Sequence, residues 1–429
     1  MAYKPKFAAP RDGSGPAPRQ TGPERPQETP RPSKGPRIGE ILLAIVVIPV
    51  SLAAAAFLMR LVFTYVGAPR QSPVEVPAFT ISQALEAVSQ SRQAAALEKL
   101  RRTPDATEST QAPPPETTQP PAVHPHYSIP EDAPVAPVPD PDRFGASADP
   151  AVLADVLAKA DWLLAGQKTY FDPQGERYGE EPATKWYLDG SMLALTWKEV
   201  HGGSVYTFSE VQVQDPSQFR RHLAGGEYGS QMQYLTTEMA ESVNAVVASA
   251  GDFYRFRDFG AVVYEGVARR VEGTYAETCY IDRSGDMHFT YGGEVLTVAD
   301  VQAYVDEHDI FFSLAFRPVL VADGQKVDHT WYGVGEINEG YARAALCQMG
   351  TLHYLLVTAN TQGSYQDIPT VEMFRDVIAA TGCVHAYCLD GGQTASIVMG
   401  GQLVNRPVYG QQRKISDIIY FATAVPEGE

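Results

Sequence analysis

Apolar residues fall into three regimes along the chain. Residues 1–38 show almost no apolar periodicity, Ile41 to Met59 (ILLAIVVIPVSLAAAAFLM) is a nearly continuous apolar run, and from about Lys185 short apolar alternations succeed one another. The run has the length of one bilayer crossing and is long for the apolar part of a secretory signal. Arg60 separates it from Leu61–Val66, and a side chain of that length can reach the outer interface. Pro49 can kink the span, which bilayer helices tolerate. Residues 39–66 are therefore predicted to be a transmembrane helix. The tail before it carries Lys4, Lys6, Arg11, Arg19, Arg25, Arg31, Lys34 and Arg37 against Asp12, Glu24 and Glu28. That asymmetry places residues 1–38, a disordered tail, in the cytoplasm and the remainder outside.

Residues 67–148 read as a stalk. Phe79 to Arg102 has a narrow helical stripe (Ile81, Leu85, Val88, Ala95), and Thr103 to Arg143 holds about a dozen prolines among Thr, Glu and Asp. Such a segment buries too little to fold and acts as an extended spacer. Its His124 and His126 are too few to make a metal site. In the segment 149–184, Asp149-Pro150 opens a helix predicted to run to Leu164, which either caps the globular part or stands apart.

From 185 to 429 strands and helices alternate. Met192–Glu199 and Val205–Val213 flank His201-Gly202-Gly203 as a hairpin. Asp215-Pro216 predicts a helix through Ala224, and Thr237–Val247 a second. Thr297 and Thr370 cap helices to Glu307 and Ala380, the latter stopped by Gly382. Apolar strands are expected at Phe311–Phe316, Pro318–Val321, Leu352–Thr358 and Val384–Leu389. The fold class expected is α+β (mixed α/β): one globular domain over 185–429 with a mixed sheet and flanking helices. An acid at the end of the last strand, Asp390, stands where open sheets keep their sites.

The chemistry concentrates in Tyr387–Asp417, YCLDGGQTASIVMGGQLVNRPVYGQQRKISD. A strand delivers Asp390-Gly391-Gly392, then Thr394 and Ser396, then a hairpin at Ile397–Met399 and Leu403–Asn405. Glycines after an acid permit close backbone approach and expose amide donors. This stretch resembles the closing motif of the phosphodiester glycosidase family, LDGG-G-S-S-T followed by NRP and R-x-V-S-D. Asp390, Gly391, Gly392, Asn405, Arg406, Pro407, Arg413, Ser416 and Asp417 match it. Gln393 replaces a glycine, and Thr394, Ala395 and Ser396 stand for Ser, Ser and Thr. A second landmark, Ala248 to Tyr254 (ASAGDFY), resembles the family's A-I-N-G-D-Y-F segment, with Ala250 in place of Asn. A third, Arg343 in Tyr341–Leu346, resembles its P-R-T-A element, and a planar guanidinium there suits a phosphate or carboxylate.

The resemblance implies hydrolysis of a sugar–phosphate diester at the glycosidic carbon. It implies Asp390 and Asp252 as competing candidates for base or nucleophile. Substrate binding falls to Arg343, Gly391, Gly392, Thr394, Ser396, Asn405, Arg406 and Arg413, and Asp417 is expected to orient Arg413. A non-catalytic, membrane-tethered glycan-binding protein on the same fold is the rival, favoured by Ala250 and Gln393. The net charge of −17 argues against a nucleic-acid partner. No cofactor is implied and no zinc spacing occurs, though a divalent ion at Asp390 or Asp252 stays open. Four cysteines in an outward-facing domain invite disulfides. Cys383 and Cys388, about 16 Å apart on an extended strand, are too distant to pair with each other. Cys388, where the family has Asn, reads as a buried small hydrophobe rather than a pocket thiol.

Overall fold

The computed structural model describes residues 124–427, apart from 131–132, 165, 179–182, 257–259, 273–276, 292–295, 329–338 and 361–367. The predicted cytoplasmic tail, membrane span and stalk helix lie outside these residues. Among the described residues no helix is long and apolar enough to cross a membrane.

Two sheets build the domain. The larger has nine strands, in spatial order Gln325–Lys326, Val319–Ala322, His385–Leu389, Arg343–Gly350, His353–Asn360, Ser204–Val213, Met192–His201, Thr184–Leu188 and Phe144–Ser147. The smaller has five: Gln402–Leu403, Ile397–Met399, Val247–Ala250, Asp417–Phe421 and Phe219–Leu223. Every pairing within them is antiparallel, so the expected mixed sheet is corrected. Tight turns such as His201–Ser204 and Gly350–His353 join neighbouring strands directly, and a hairpin can only return antiparallel.

Period-two alternation sorts side chains between layers. Met192, Ala194, Ala344 and Leu346 face the core shared with Ile419 and Phe421 of the smaller sheet. Their neighbours Leu193, Leu195, Ala345 and Cys347 face the other way, beneath two helices. One is Val371–Ala380, capped by the Thr370 hydroxyl, with Val371, Phe374 and Ile378 inward. The other is Pro150–Lys159, capped by Asp149 and burying Leu153 and Val156; it therefore caps the domain, and it ends at Ala160 before the short turn Asp161–Leu164. The outer face of the smaller sheet is covered by Thr236–Ser242 through Met239 and Ala240. A three-stranded sheet and a hairpin, joined where the Ser313 hydroxyl bonds Val263 N and Ala261 O, pack alongside helix Val298–His308.

Residues 124–148 correct the stalk assignment. Tyr127–Ser128 pairs with Val425–Pro426, Phe144–Ser147 forms the sheet edge, and Ile129 and Ala136 are buried. Prolines there shape loops that lie on the domain. The helix expected after Asp215 is also corrected. Asp215 and Gln218 form a capping box on one 3-10 turn, Pro216–Gln218, and a strand follows at Phe219. Phe219, Arg221 and Leu223 are buried alternately, a period of two that overrides the cap. All four cysteines are buried and none forms a disulfide, against the disulfide expectation.

Candidate active site

The site forms where strand ends from both sheets meet. Strand Val247–Ala250 runs alongside Asp417–Phe421 with Ala250 opposite Ile418. The chain then leaves the sheet, and Gly251 is held from both sides: its N–H donates to Asp417 O at 3.0 Å, and its carbonyl accepts from Asp390 N at 3.0 Å. A side chain at Gly251 would collide with the Asp417 carboxylate, so glycine is dictated by packing. Two of the sequence landmarks thus share one peptide.

Beneath them lies a buried charge cluster. Arg221 Nη2 donates to Asp252 Oδ1 at 2.6 Å and to Asp417 Oδ2 at 2.9 Å, with Nε on the same Asp417 oxygen at 3.1 Å and Nη1 on Ser313 O. Asp252 also accepts from Tyr254 N (2.9 Å) and Ala315 N (2.6 Å). All three charged groups are essentially sealed from water. Burial, together with the Asp417 charge and against the pull of Arg221, pushes the Asp252 carboxyl up to about 7. Both Asp252 oxygens meet N–H donors, a setting that suits an anchor. Asp417, expected to orient Arg413, instead holds Arg221; that role is corrected.

The DGG loop closes over this floor. Asp390 follows strand His385–Leu389, and the register that sets Leu389 opposite Ala344 brings Asp390 and Arg343 to adjoining positions at the strand ends. Gly392 N donates to Ala342 O at 2.7 Å. A Cβ on Gly391 would lie 2.5 Å from that same carbonyl. The close approach the glycines permit is therefore to the chain's own backbone, beside Arg343.

The sequence profile of the phosphodiester glycosidase family matches residues 243–422. This stretch is a phosphodiester glycosidase domain. The fold is similar to the zebrafish N-acetylglucosamine-1-phosphodiester alpha-N-acetylglucosaminidase catalytic domain auto-inhibited by its pro-peptide. That match has 17% identity over 54% of this chain and 83% of that one, with a TM-score of 0.44. A hypothetical protein from Synechocystis matches at 15% identity over 54% of this chain and 62% of its own, with a TM-score of 0.38. No curated protein matches the chain.

The phosphodiester glycosidase domain gives the remaining expected residues different surroundings. Thr394 Oγ1 donates to Gly391 O, and Ser396 Oγ bonds Thr236 Oγ1 and Thr394 O; both are buried and brace the loop. The Asn405 amide clips the hairpin, accepting from Ile397 N at 2.8 Å and donating to Ala395 O at 2.9 Å. Half-buried Gln393 ties the DGG loop to Gln411 O. Arg343 is largely buried, with Nη2 on Glu339 O at 2.9 Å and its guanidinium over Tyr341. Arg406 and Arg413 are exposed. Ala250 and Cys388 are buried in the outer apolar layers of their sheets. Among the described residues no group of three or more His, Cys, Asp or Glu could hold a metal.

One residue of this site and one backbone conformation escaped sequence reasoning. Arg221 lies before the matched stretch, yet it is bonded to two acids within it. Its signal was an arginine at the inward position of an apolar alternation, Phe219-x-Arg221-x-Leu223. Phe253 carries a φ of 65°, which no sequence pattern announces.

Proposed function

We propose that this chain is a membrane-anchored, extracytoplasmic hydrolase that cleaves sugar–phosphate diesters at the glycosidic carbon in envelope or exopolysaccharide metabolism. The observation that carries the reading is the adjacency of Asp390 and Arg343 at neighbouring strand ends, inside a phosphodiester glycosidase domain. The anchor and the orientation rest on Ile41–Met59 and its basic leader. In the reaction C1–O breaks, the phosphate leaves with the bonding pair, and water supplies the new C1–O bond and a proton. A phosphate leaves more easily than an alcohol, so the demands fall on anion binding and on one carboxylate to activate water or attack C1. Asp390 takes that carboxylate role. Asp252, with both oxygens engaged, sets the position of Gly251 and through it the Asp390 backbone.

The test is turnover of a glycosyl phosphodiester by the full chain in oxygen-18 water. Label in the sugar supports C–O cleavage, and label in the phosphate overturns it. Asp390→Asn is nearly isosteric and is expected to lower kcat by about 10²–10⁴-fold with little change in KM. A wild-type rate in that variant removes Asp390 from the chemistry. The rival reading, a glycan-binding protein, draws on Ala250 and Gln393 and predicts binding without turnover by the unmodified chain.

A further inference from the structure

Arg413 sits over the ring of Phe253, next to Asp252 in the chain, its guanidinium carbon 4.7 Å from the ring centre. Among the described residues it makes no hydrogen bond or ion pair. Its chain neighbours are nevertheless tied down on both sides. Gln412 next to it exchanges hydrogen bonds with Thr237, and Ile415 bridges Tyr234. The segment 406–414 contains Arg406, Arg413 and Lys414 and no acid, in a chain of net charge −17. All three cations are exposed. Arg413 is supported by an aromatic face rather than by a carboxylate. Contact with a ring uses none of a guanidinium's N–H donors, which stay available to receive a phosphate's oxygens side by side.

The support itself is strained. Phe253 has a φ of 65°, a left-handed conformation that is a real outlier for a bulky side chain. It is held there by its neighbours: Asp252 is locked to Arg221, Tyr254 N bonds the Asp252 carboxylate, and Phe256 N donates to Phe253 O at 3.0 Å. The Phe256 ring stacks on Phe253 at 4.3 Å, and Arg255, bonded to Gln231, lies over Phe256. Glycine would accept this backbone without cost, so what the strained residue contributes is its ring.

We propose that Arg413, seated over Phe253, is a phosphate-binding group of this site, receiving the phosphoryl group of a sugar phosphate through its guanidinium N–H groups. Phe253 is its positioning residue, and Arg406 and Lys414 supply a positive rim. The proposal rests on the sugar-phosphate reading above and adds an exposed anion contact to the largely buried Arg343 beside Asp390.

The test is calorimetric titration of the full chain with glucose 1-phosphate, which needs no turnover. Arg413→Ala is expected to weaken binding by about 10–100-fold, and Arg413→Lys to recover only part of the loss. Phe253→Gly is expected to weaken it by about 2–5-fold while the unfolding midpoint holds or rises. Phe253→Leu serves as the check if the glycine loosens the turn, and Phe253→Tyr should bind as the parent does. Unchanged affinity in Arg413→Ala overturns the proposal, and loss in Arg413→Ala without loss in Phe253→Gly or Phe253→Leu overturns the role of the ring. Binding through Arg413 by a chain that cleaves no glycosyl phosphodiester sinks the activity reading and leaves this one. Turnover with a parental KM in Arg413→Ala does the reverse.

Discussion

At the scale of single residues, the two glycines of the DGG loop do different work. Gly391 faces the Ala342 carbonyl, which is backbone and cannot turn aside, whereas Gly392 has open space but a φ of 63°. Gly391→Ala is expected to cost about 3 kcal/mol by overpacking and to displace Asp390 from Arg343, so activity falls with stability. Gly392→Ala should cost only the left-handed penalty, about 1–2 kcal/mol, and leave the rate near that of the parent. Urea unfolding and initial rates on the same samples decide this; equal effects at the two positions would dissolve the distinction. The sequence showed that the glycines mattered but not what they approach. A glycine against a ligand and a glycine against a carbonyl leave the same letters. Asn405 and Ser396 were likewise visible as polar residues near the acid, but their partners, Ile397 N and Thr236 Oγ1, appear only once the hairpin is closed.

At the scale of elements, legibility followed how strongly one period dominated. The hairpin at 192–213, the helices capped by Thr297 and Thr370, and the turn at Gly400-Gly401 could all be read, because cap, turn and apolar period agreed. The strand Phe219–Leu223 was missed because a good helix cap precedes a five-residue alternation too short to outvote it. The strands at Tyr127–Ser128 and Phe144–Ser147 were missed for another reason: proline density reads as spacer, yet edge strands tolerate flanking prolines. These two strands carry a prediction. A chain starting at residue 148 loses Ile129 and Ala136 from the layer under helix Thr236–Ser242, and Ile129 alone is worth about 1.5–3 kcal/mol. Its urea midpoint should fall below that of a chain starting at residue 117. Matching midpoints would mean that the two strands are decoration.

At the scale of the whole molecule, one positive and two negative charges share a dry interior at Arg221, Asp252 and Asp417, and this couples stability to pH. Burial raises the folded-state pKa of Asp252 to about 7 from its ordinary 3.8, so the folded state holds that proton more tightly than the unfolded one. Its contribution is fully present below about pH 3.8 and is lost as pH rises through about 7. Asp252→Asn cannot titrate. The variant's melting temperature relative to the parent should therefore rise between pH 4 and pH 8, whatever the offset from the altered contact with Arg221. A constant difference across that range would show that Asp252 stays ionised throughout. A different consequence follows from the two-residue ladder that pairs Tyr127–Ser128 with Val425–Pro426. The fold takes in its chain and releases it through one hydrogen-bonded doorway, with paired Cα atoms about 5 Å apart. Topologically it is a closed loop with a single gate, like a bead on a looped thread. It could be spliced into a surface turn of another protein without spreading that turn, or have its ends joined and be reopened elsewhere, with every core layer left in place.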